Sequence, residues 1–429
     1  MCLGAFVAFR SQLDCGPCAG GPGAGAPPAA RSRRTWRLLL VVAAALVAIS
    51  VVRVITGATD LTSTGAISAA LAAAVPIGLA GLGGLWSERA GVVNIGLEGM
   101  MILGTFGGAW GALTFGPWGG VVAGAVFGAL GGLLHALATV TFNVDHIVSG
   151  VAITLLATGL ARYLASFAFT GIGGGPTQSP IVPSLPKWSV PGLGWLAGIE
   201  QRGWFLVSDL AGIIRGALTE LSALTVIAVI LVPVTYFVLW RTAFGLRLRS
   251  CGENPKAAES LGVNVYRYKY YGVVISGALA GLGGAFLSIV AASIFREGQT
   301  AGRGYIGLAT MIFGNWRPGG LASGALLFGY TDALQLRRGS ESVHALLLFI
   351  AAVLAAIAIF QFYRGHRVVG IVSIALAAGA LLWYFTTDQI PVEFVRAMPY
   401  VITLVVLALA AQRLRMPAAD GQPYRKGEG

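Results

Sequence analysis

Two copies of one glycine-rich phrase decide the fold of this chain. Ala80-Gly81-Leu82-Gly83-Gly84 returns as Ala280-Gly281-Leu282-Gly283-Gly284, and Ile95-Gly96-Leu97, followed by Met101 and Gly104, returns as Ile306-Gly307-Leu308, followed by Met311 and Gly314. The copies lie about 200 residues apart and keep the order of their two parts. Small residues of this kind let membrane helices pack closely, which is the simpler explanation for the similarity. The preserved order favours an internal repeat.

The composition points to a membrane protein with several spans. Of the 429 residues, 56% are hydrophobic and only 11% are charged, whereas soluble domains carry about 25% charged residues. A soluble core could not absorb so much apolar surface without leaving large exposed patches. The net charge of +12 then reports basic cytoplasmic loops rather than nucleic-acid binding.

Twelve segments are candidates for membrane spans, since a helix needs about 20 apolar residues to cross a bilayer. They are Leu38–Ile55, Gly65–Leu85, Val92–Leu113, Trp118–Phe142, Ile147–Phe169, Leu221–Trp240, Tyr271–Ile294, Gly304–Trp316, Gly319–Leu336, His344–Tyr363, Val368–Phe385 and Ala397–Ala411. Gly304–Trp316 is short and is followed by Pro318-Gly319-Gly320, so a half-span or a broken helix is an alternative there.

Basic residues orient these spans. Four arginines between residues 31 and 37 precede the first span and place the N-terminus in the cytoplasm. Alternation then places the basic segment 241–269 inside and the charge-balanced loop 170–220 outside, with Arg337 and Arg338 as the exception. Both termini are predicted to be cytoplasmic. The two copies of the repeat lie on spans of opposite direction, which is the inverted-repeat plan of many transporters.

Ionisable residues inside an apolar context mark a candidate site between Glu88 and Met101. Glu98 falls within a predicted span, where a carboxylate is costly unless it faces a cavity or a partner. Asn94 precedes it by four residues, so the two are predicted to share one helical face. The glycines at positions 91, 96 and 99 would let the backbone unwind or a neighbouring helix approach. A purely structural alternative is that Glu98 caps or pins another helix of the bundle.

Several chemistries lack their motifs. The four histidines are scattered without metal-ligand spacing, no Ser, His and acid arrangement suggests itself, and GxxxxGK followed by Ser or Thr does not occur. Cys15-Gly16-Pro17-Cys18 lies in a low-complexity stretch rather than in a thioredoxin-like frame. We therefore expect no metal or cofactor, and residues 1–34 are predicted to form a disordered tail.

The basic cytoplasmic segment contains a short helix signal. Asn254-Pro255 is a helix start with proline in the first turn, residues 256–261 would form the helix, and Gly262 would end it. Such a helix could be an ordinary connection or a docking element for a soluble partner.

The order of several motifs resembles a known family. They are Glu88 to Met101, Asp145 to Ala152, Gly252 to Ala258, Thr300 to Ala309 and Met398-Pro399-Tyr400-Val401. Together they are similar to the inner-membrane permease of nucleoside-type ABC importers, within the branched-chain amino acid, ribose and nucleoside permease family. The resemblance covers 65–315 continuously and resumes near the end.

This resemblance implies an all-α, ten-helix permease core arranged as an inverted five-plus-five repeat in the cell membrane. Its implied partners are a second homologous permease subunit, a cytoplasmic ABC ATPase that hydrolyses ATP, an extracytoplasmic substrate-binding lipoprotein, and a nucleoside as substrate. The residues implied at the translocation path are Asn94, Gly96, Glu98 and Gly99. Those implied in coupling to the ATPase are Gly252, Glu253, Asn254, Pro255, Ala257 and Ala258.

Two departures from the family pattern shape the predicted domains. About sixty extra residues precede the final helix and contain two candidate spans, and the N-terminal tail is extended. We predict a core over 35–336 with a coupling loop at 241–270, an inserted transmembrane hairpin at 337–396, a last core helix at 397–412 and a cytoplasmic tail at 413–429. Permeases for simple sugars or branched-chain amino acids, a secondary carrier and, least favoured, a polytopic membrane enzyme are the alternatives.

Overall fold

The computed structural model describes residues 43, 44, 46–387, 390, 391, 393, 394, 397 and 414–427. Residues 1–49 and 50–429 form two compact units, and the described residues of the first are helical. The predicted N-terminal tail 1–34 lies outside the described residues, and so does the last core helix 397–412 apart from Ala397.

Helices make up most of the described structure. They are α1 (Leu46–Thr56), α2 (Thr64–Arg89), α3 (Leu97–Ala136), α4 (His146–Phe169), α5 (Trp195–Gln201), α6 (Val207–Leu218), α7 (Ala223–Arg241), α8 (Ala243–Glu253), α9 (Pro255–Ser260), α10 (Val265–Phe286), α11 (Arg303–Phe313), α12 (Pro318–Tyr363) and α13 (Arg367–Thr386). Five-residue π-helical turns, Leu137–Thr141 and Leu287–Ala291, extend α3 and α10. A 3-10 helical turn, Thr59–Leu61, and two antiparallel strands of two residues each, β1 (Lys187–Trp188) and β2 (Leu221–Ser222), complete the described elements.

Seven of the described helices are long and apolar enough to cross a bilayer. The all-α polytopic prediction is therefore confirmed in its class. Most of these helices carry little charge and begin at a polar capping residue. The Ser63 hydroxyl accepts the Ala66 N–H at the start of α2, and the Asp145 carboxylate accepts two N–H groups at the start of α4.

The helix α3 is a hairpin rather than one straight span. Gly116 has φ 81° and ψ 173°, a conformation that glycine alone adopts freely, and Pro117 follows it. Residues 97–115 then run antiparallel to 117–136: a methyl group on Gly111 would come within 2.5 Å of Ala123 Cβ, and one on Gly120 within 2.5 Å of the Gly108 carbonyl oxygen. The two predicted spans Val92–Leu113 and Trp118–Phe142 correspond to these two halves.

Glycines bring the backbones of α3 and α10 into contact. A methyl group on Gly128 would lie 2.5 Å from Gly281 Cα, and one on Gly132 would lie 2.6 Å from the Val273 carbonyl oxygen. In lipid, where no hydrophobic force drives helices together, such close approach supplies the van der Waals contact that holds them. We call this pairing of α3 with α10 the glycine block.

The two copies of the repeated phrase pack against each other. A methyl group on Gly83 would come within 2.6 Å of the Ser276 carbonyl oxygen, and one on Gly283 within 3.0 Å of the Pro76 carbonyl oxygen. Each residue of the first contact has its counterpart 200 positions away in the second. The contacts of α2 with α10 are therefore reciprocal.

Two predicted spans are corrected by the structure. α11 has 11 residues, about 16 Å of helix at about 1.5 Å per residue, so it cannot cross a bilayer alone and the half-span alternative holds. α12 is one helix of 46 residues without the predicted break near Arg337, although its second part, His344–Tyr363, is a candidate span as predicted. The intervening residues 337–343 contain no proline, and helix propagation through them is favourable once the flanking turns exist.

The end of α12 packs against α13 as an antiparallel pair. His344 stacks on Tyr384 with 4.5 Å between ring centroids, and a methyl group on Gly370 would meet the Phe362 ring at 2.9 Å, which makes the two helices antiparallel. Their apolar side chains are largely exposed. The limits predicted for this insertion, 337–396, stay a prediction.

Residues predicted to lie on one side of the membrane are found together. Trp316 Nε1 donates to Glu88 Oε2 at 2.6 Å, and the Val93 N–H donates to His146 Nδ1 at 3.2 Å. At the opposite ends of the helices, Asp209 of α6 binds Arg53 at 3.0 Å and also accepts from Thr62. These contacts agree with the alternation predicted from the sequence as far as Trp316, while the orientation of the termini stays a prediction.

Candidate site at the α2–α3 linker

The segment between α2 and α3, residues 91–96, is a buried non-helical linker. Gly91 has φ +82°, which ends α2 in the left-handed conformation that glycine tolerates. Ser87 Oγ donates to the Val92 carbonyl at 2.6 Å, and Lys269 Nζ of α10 donates to the Gly91 carbonyl at 3.3 Å. Unwound backbone at this depth needs such partners, since water does not supply them.

Two histidines hold the centre of this linker at Val93. His135 Nε2 of α3 donates to the Val93 carbonyl at 2.9 Å, and its Nδ1, 2.9 Å from Ser149 Oγ, accepts from that hydroxyl. His146 Nδ1 of α4 accepts the Val93 N–H. Side chains from four surrounding helices therefore fix the unwound conformation, and none of these roles was predicted from the sequence.

Asn94 belongs to the linker and not to a helix. Its side chain is fully buried, and Nδ2 donates to Ser276 Oγ of α10 at 2.9 Å. Asn94 Oδ1 is buried without a hydrogen-bond partner among the described atoms. The prediction that Asn94 and Glu98 share one helical face is wrong, because the hydrogen bonds of the linker delay the start of α3 to Leu97.

Glu98 caps the broken helix. Its Oε1 accepts the Gly302 N–H at 2.9 Å and its Oε2 accepts the Gly304 N–H at 2.7 Å, at the first turn of α11. The carboxylate thus satisfies N–H groups that a helix leaves free at its start, and it lies at the positive end of the helix dipole. Gly304 permits this approach, since a methyl group there would lie 2.7 Å from the Glu98 backbone nitrogen.

The other predicted path residues are sites of close helix approach. A methyl group on Gly99 would lie 2.7 Å from Thr154 Cα, and one on Gly96 would lie 3.3 Å from Gly150 Cα. Both glycines therefore let α4 pack onto the start of α3. The structure brings Glu98, Gly96 and Gly99 within one region beside α4, with Asn94 on its other side toward α10.

A cavity of about 250 Å³ opens above Glu98, between α3, α4 and the segment 295–302. Its polar lining includes the Glu98 carboxylate, Thr105, Thr158 and Gln299, with Arg162 and Glu297 forming an ion pair of 3.7 Å at one edge. Gln299 Nε2 is buried and has no acceptor among the described atoms. Carboxylate, hydroxyl and amide groups around a small space suit an uncharged polar solute.

The short helix predicted after Asn254 is present as α9, while its cytoplasmic position stays a prediction. Asn254 Oδ1 accepts the Ala257 N–H at 3.0 Å, Pro255 occupies the first turn, and Gly262 follows with φ +80°. Asn254 and Ala257 are exposed, whereas Ala258 is 2% exposed. Ala258 therefore anchors α9 to the rest of the chain rather than offering a contact.

Gly252 and Glu253 belong to the preceding helix, α8, and face the end of α2. A methyl group on Gly252 would lie 3.0 Å from the Gly91 nitrogen. Glu253 Oε1 lies 3.6 Å from Arg89 Nη1, and Arg89 also donates to the Trp316 carbonyl at 2.8 Å. The residues predicted for coupling thus adjoin the linker that leads to Glu98.

The family described as "Branched-chain amino acid transport system / permease component" matches residues 66–358. The chain belongs to this permease family. It is a multi-pass cell-membrane protein of an ABC transporter, a transport subunit rather than an enzyme, as the sequence predicted.

Three relatives define what this permease is similar to. The guanosine ABC transporter permease protein NupQ of Bacillus subtilis is 33% identical over 84% of this chain and 97% of its own. The nucleoside ABC transporter permease protein NupC of Lactococcus lactis is 34% identical over 82% and 94%. The putative glucose ABC transporter permease protein TsgC13 of Haloferax volcanii is 36% identical over 66% and 80%. No solved structure matches the permease.

Proposed function

We propose that this permease moves nucleosides into the cell as the membrane subunit of an ABC importer. The observation that carries the proposal is its similarity, over more than four fifths of its length, to permeases named for guanosine and for nucleosides. The polar cavity above Glu98 supports it, because about 250 Å³ is close to the size of one nucleoside.

The translocation path is proposed to pass Asn94, Gly96, Glu98 and Gly99. A nucleoside entering the cavity would meet the donor of Gln299 and the free lone pairs of Thr105, Thr158 and Glu98. Deeper entry would require the start of α11 to move, since Ala301, Gly302 and the Glu98 side chain that caps this helix line the cavity. Discontinuous helices serve this purpose at the centre of many transporters.

The ten-helix core is proposed to be an inverted repeat with both termini in the cytoplasm. The reciprocal contacts of α2 with α10 support this plan, because a two-fold axis in the membrane plane would generate such a pair of contacts. Gly84 against Met311 and Gly284 against Met101 form a second reciprocal pair. The basic segment 241–269 supports a cytoplasmic position for α8 and α9.

Coupling to a cytoplasmic ABC ATPase is proposed to occur at α9 and its flanks, which comprise Gly252, Glu253, Asn254, Pro255, Ala257 and Ala258. The helix offers exposed Lys256, Ala257 and Leu261 to a partner. An Ala257→Trp variant should lower nucleoside uptake about tenfold or more while leaving the amount of protein in the membrane unchanged. His366→Trp, in the exposed turn after α12, is the matched control, and equal uptake by both variants would contradict the docking role.

The remaining partners are a second permease subunit and an extracytoplasmic binding lipoprotein. One face of α4 supports the first, since Leu155, Tyr163 and Phe167 expose 72%, 69% and 88% of their surfaces. This face lies beside the cavity that also involves Thr158 and Arg162. A second permease covering it would close the path from the side of the lipid.

Uptake of radiolabelled nucleosides, ribose and glucose in a strain lacking this chain tests the substrate class. The similarity to the putative glucose permease makes a sugar the second candidate. Loss of nucleoside uptake, restored by the wild-type chain, is expected. Lost sugar uptake with unchanged nucleoside uptake would reverse the assignment.

A further inference from the structure

The C-terminal segment 414–427, which we call the strap, lies along the elements proposed to couple to the ATPase. It begins beside the turn between α11 and α12, where the Arg415 N–H donates to Asn315 Oδ1 at 2.7 Å. It then crosses the end of α8, where the Ala419 N–H donates to the Gly252 carbonyl at 2.9 Å and the Ala418 N–H to Glu253 Oε2 at 3.3 Å. Backbone groups thus fix its course.

The far end of the strap is anchored under α9 by Tyr424. Its hydroxyl donates to Glu259 Oε2 at 2.6 Å, and its ring packs with Cys251, Ala258 and Val265 in a small apolar cluster. Tyr424 is 7% exposed and Cys251 is fully buried. The strap therefore covers the inward face of the coupling helix.

Between these anchors the strap reaches the linker that leads to the proposed path. Gly421, with φ +74°, lies beside Val93, so that a methyl group there would come within 3.3 Å of Val93 Cγ2. Asp420 is 8% exposed and faces the Glu88 carboxyl of α2. The strap thus touches α9 and the α2–α3 linker at the same time.

Asp420 and Glu88 form a buried carboxyl pair. The two carboxyls lie within hydrogen-bonding reach of each other, and the Gly421 N–H also faces Asp420. Such a contact needs one shared proton, because two buried carboxylates repel. Of the other charged groups, Arg89 faces Glu88 and Lys269 faces Asp420, and Glu253 in turn faces Arg89.

We propose that the strap is a positioning element that joins the coupling helix to the α2–α3 linker, so that movement imposed on α9 reaches Asn94 and Glu98. This role rests on the proposed function, in which α9 contacts the ATPase. Asp420 and Tyr424 act through their contacts with Glu88 and Glu259 and touch no substrate. Without the strap, the described residues connect the coupling region to the linker only through the contacts of Gly252 and Glu253 with Gly91 and Arg89.

Deletion of residues 414–429 from the full transporter tests this role. We expect about a tenfold loss of nucleoside uptake per ATP hydrolysed, with hydrolysis retained. Gln422→Ala is the control, since the exposed Gln422 side chain bonds within the strap to the Ala418 carbonyl, and it should transport as wild type. An unchanged ratio of uptake to hydrolysis in the deletion variant would overturn the proposal.

The buried thiol of Cys251 reports the position of the strap independently of transport. Replacing Cys2, Cys15 and Cys18 with serine leaves Cys251 as the one thiol of the chain. In that background, Tyr424→Ala should speed maleimide labelling of Cys251 about tenfold. The reagent reaches the thiol only in the fraction of molecules whose strap is detached from α9, and this variant increases that fraction. Labelling as slow as in the parent would show that the strap does not cover α9.

Docking of the strap should weaken as the pH rises. Burial, and next the Glu88 carboxyl, raise the pKa of Asp420 to about 9, whereas a detached Asp has a pKa of about 3.9. Docking therefore takes up a proton, and its equilibrium constant falls as the pH rises above the ordinary pKa of a carboxyl group. Asp420→Asn needs no proton and should abolish this dependence while slowing Cys251 labelling at pH 7.

The labelling rates of Asp420→Asn and of its parent are compared at each pH. Because both proteins contain the same Cys251 thiol, the effect of its ionisation cancels in the ratio of the two rates. A labelling ratio that does not change with pH would refute the shared proton. The two proposals are also separable. A wild-type complex that hydrolyses ATP without importing nucleosides would refute the transport function, whereas normal coupling in the wild type and in the deletion variant would refute the strap alone.

Discussion

The two copies of the repeat begin alike and then diverge. Gly91 and Gly302 lie 211 residues apart, as do Ile95-Gly96-Leu97 and Ile306-Gly307-Leu308, and both glycines are left-handed, with φ +82° and +78°. In the second copy helix α11 starts at the next residue. In the first copy the chain stays unwound for five residues before α3 starts at Leu97.

The two copies differ in the hydrogen-bond acceptors available to the N–H groups that follow Gly91 and Gly302. In the first copy, side chains of α2, α3, α4 and α10 bind the linker and compete with helix formation. In the second copy the Glu98 carboxylate accepts N–H groups of the first turn, so the helix forms at once. The counterpart of Glu98 is Ala309. One copy therefore supplies an anion to the other and receives none in return.

Removal of this anion should have the largest effect. Glu98→Ala leaves two N–H groups of α11 without their charged acceptor, and each such bond contributes about 1.5–3 kcal/mol. We expect nucleoside uptake to fall about a hundredfold or more, since about 2.8 kcal/mol corresponds to that factor. Glu98→Gln retains an acceptor and should lose less. Uptake at the wild-type level by Glu98→Ala would show that the Glu98 carboxylate is not needed for transport.

Blocking the approach of the two copies should have the next largest effect. Gly304→Ala places a methyl group against the Glu98 backbone, and overpacking of this kind costs about 1–3 kcal/mol. A lower melting temperature of the purified protein and at least a fivefold loss of uptake are expected. Gly319→Ala, where nothing lies within 4 Å, is the control. Equal melting temperatures for the two variants would count against the close approach.

Loosening the linker should have the smallest effect of the three. Asn94→Ala and Ser276→Ala each remove one side of a buried hydrogen bond, at a cost of about 1 kcal/mol. The double variant should be less destabilised than the sum of the single variants, because the contact is lost only once. Thermal unfolding of the four proteins measures this coupling. Strict additivity would show that Asn94 does not hold the linker through Ser276.

Local sequence signals predicted the elements that depend on local chemistry. Asn254, Pro255 and Gly262 defined α9 because caps act on their nearest neighbours, and the short apolar run before Pro318 indicated the broken helix α11. The shared face of Asn94 and Glu98 was wrong because side chains of distant helices hold residues 91–96 unwound. The capping alternative for Glu98 was foreseen, but its partner, 204 residues away, could not be identified without the fold.

The strap was not predicted at all, for a related reason. Its sequence is polar and short, with no periodic pattern, and was assigned only to a cytoplasmic tail. Its conformation depends on single contacts with Gly252, Glu88 and Glu259. No local sequence pattern predicts these contacts. The similarity to known permeases indicates the function. The contacts of the strap with α9 and with the α2–α3 linker are visible only in the three-dimensional structure.

The glycine block and the contacts under α9 should respond differently to temperature. The block is held by van der Waals contact between backbones in a lipid environment, so cooling does not remove its main source of stability. The cluster of Tyr424 and Cys251 is buried outside the spans and depends on the hydrophobic effect, which weakens on cooling. On cooling, therefore, the contact between the strap and α9 would weaken before the contact between α3 and α10. Import would then stop while the membrane helices of the permease are still folded.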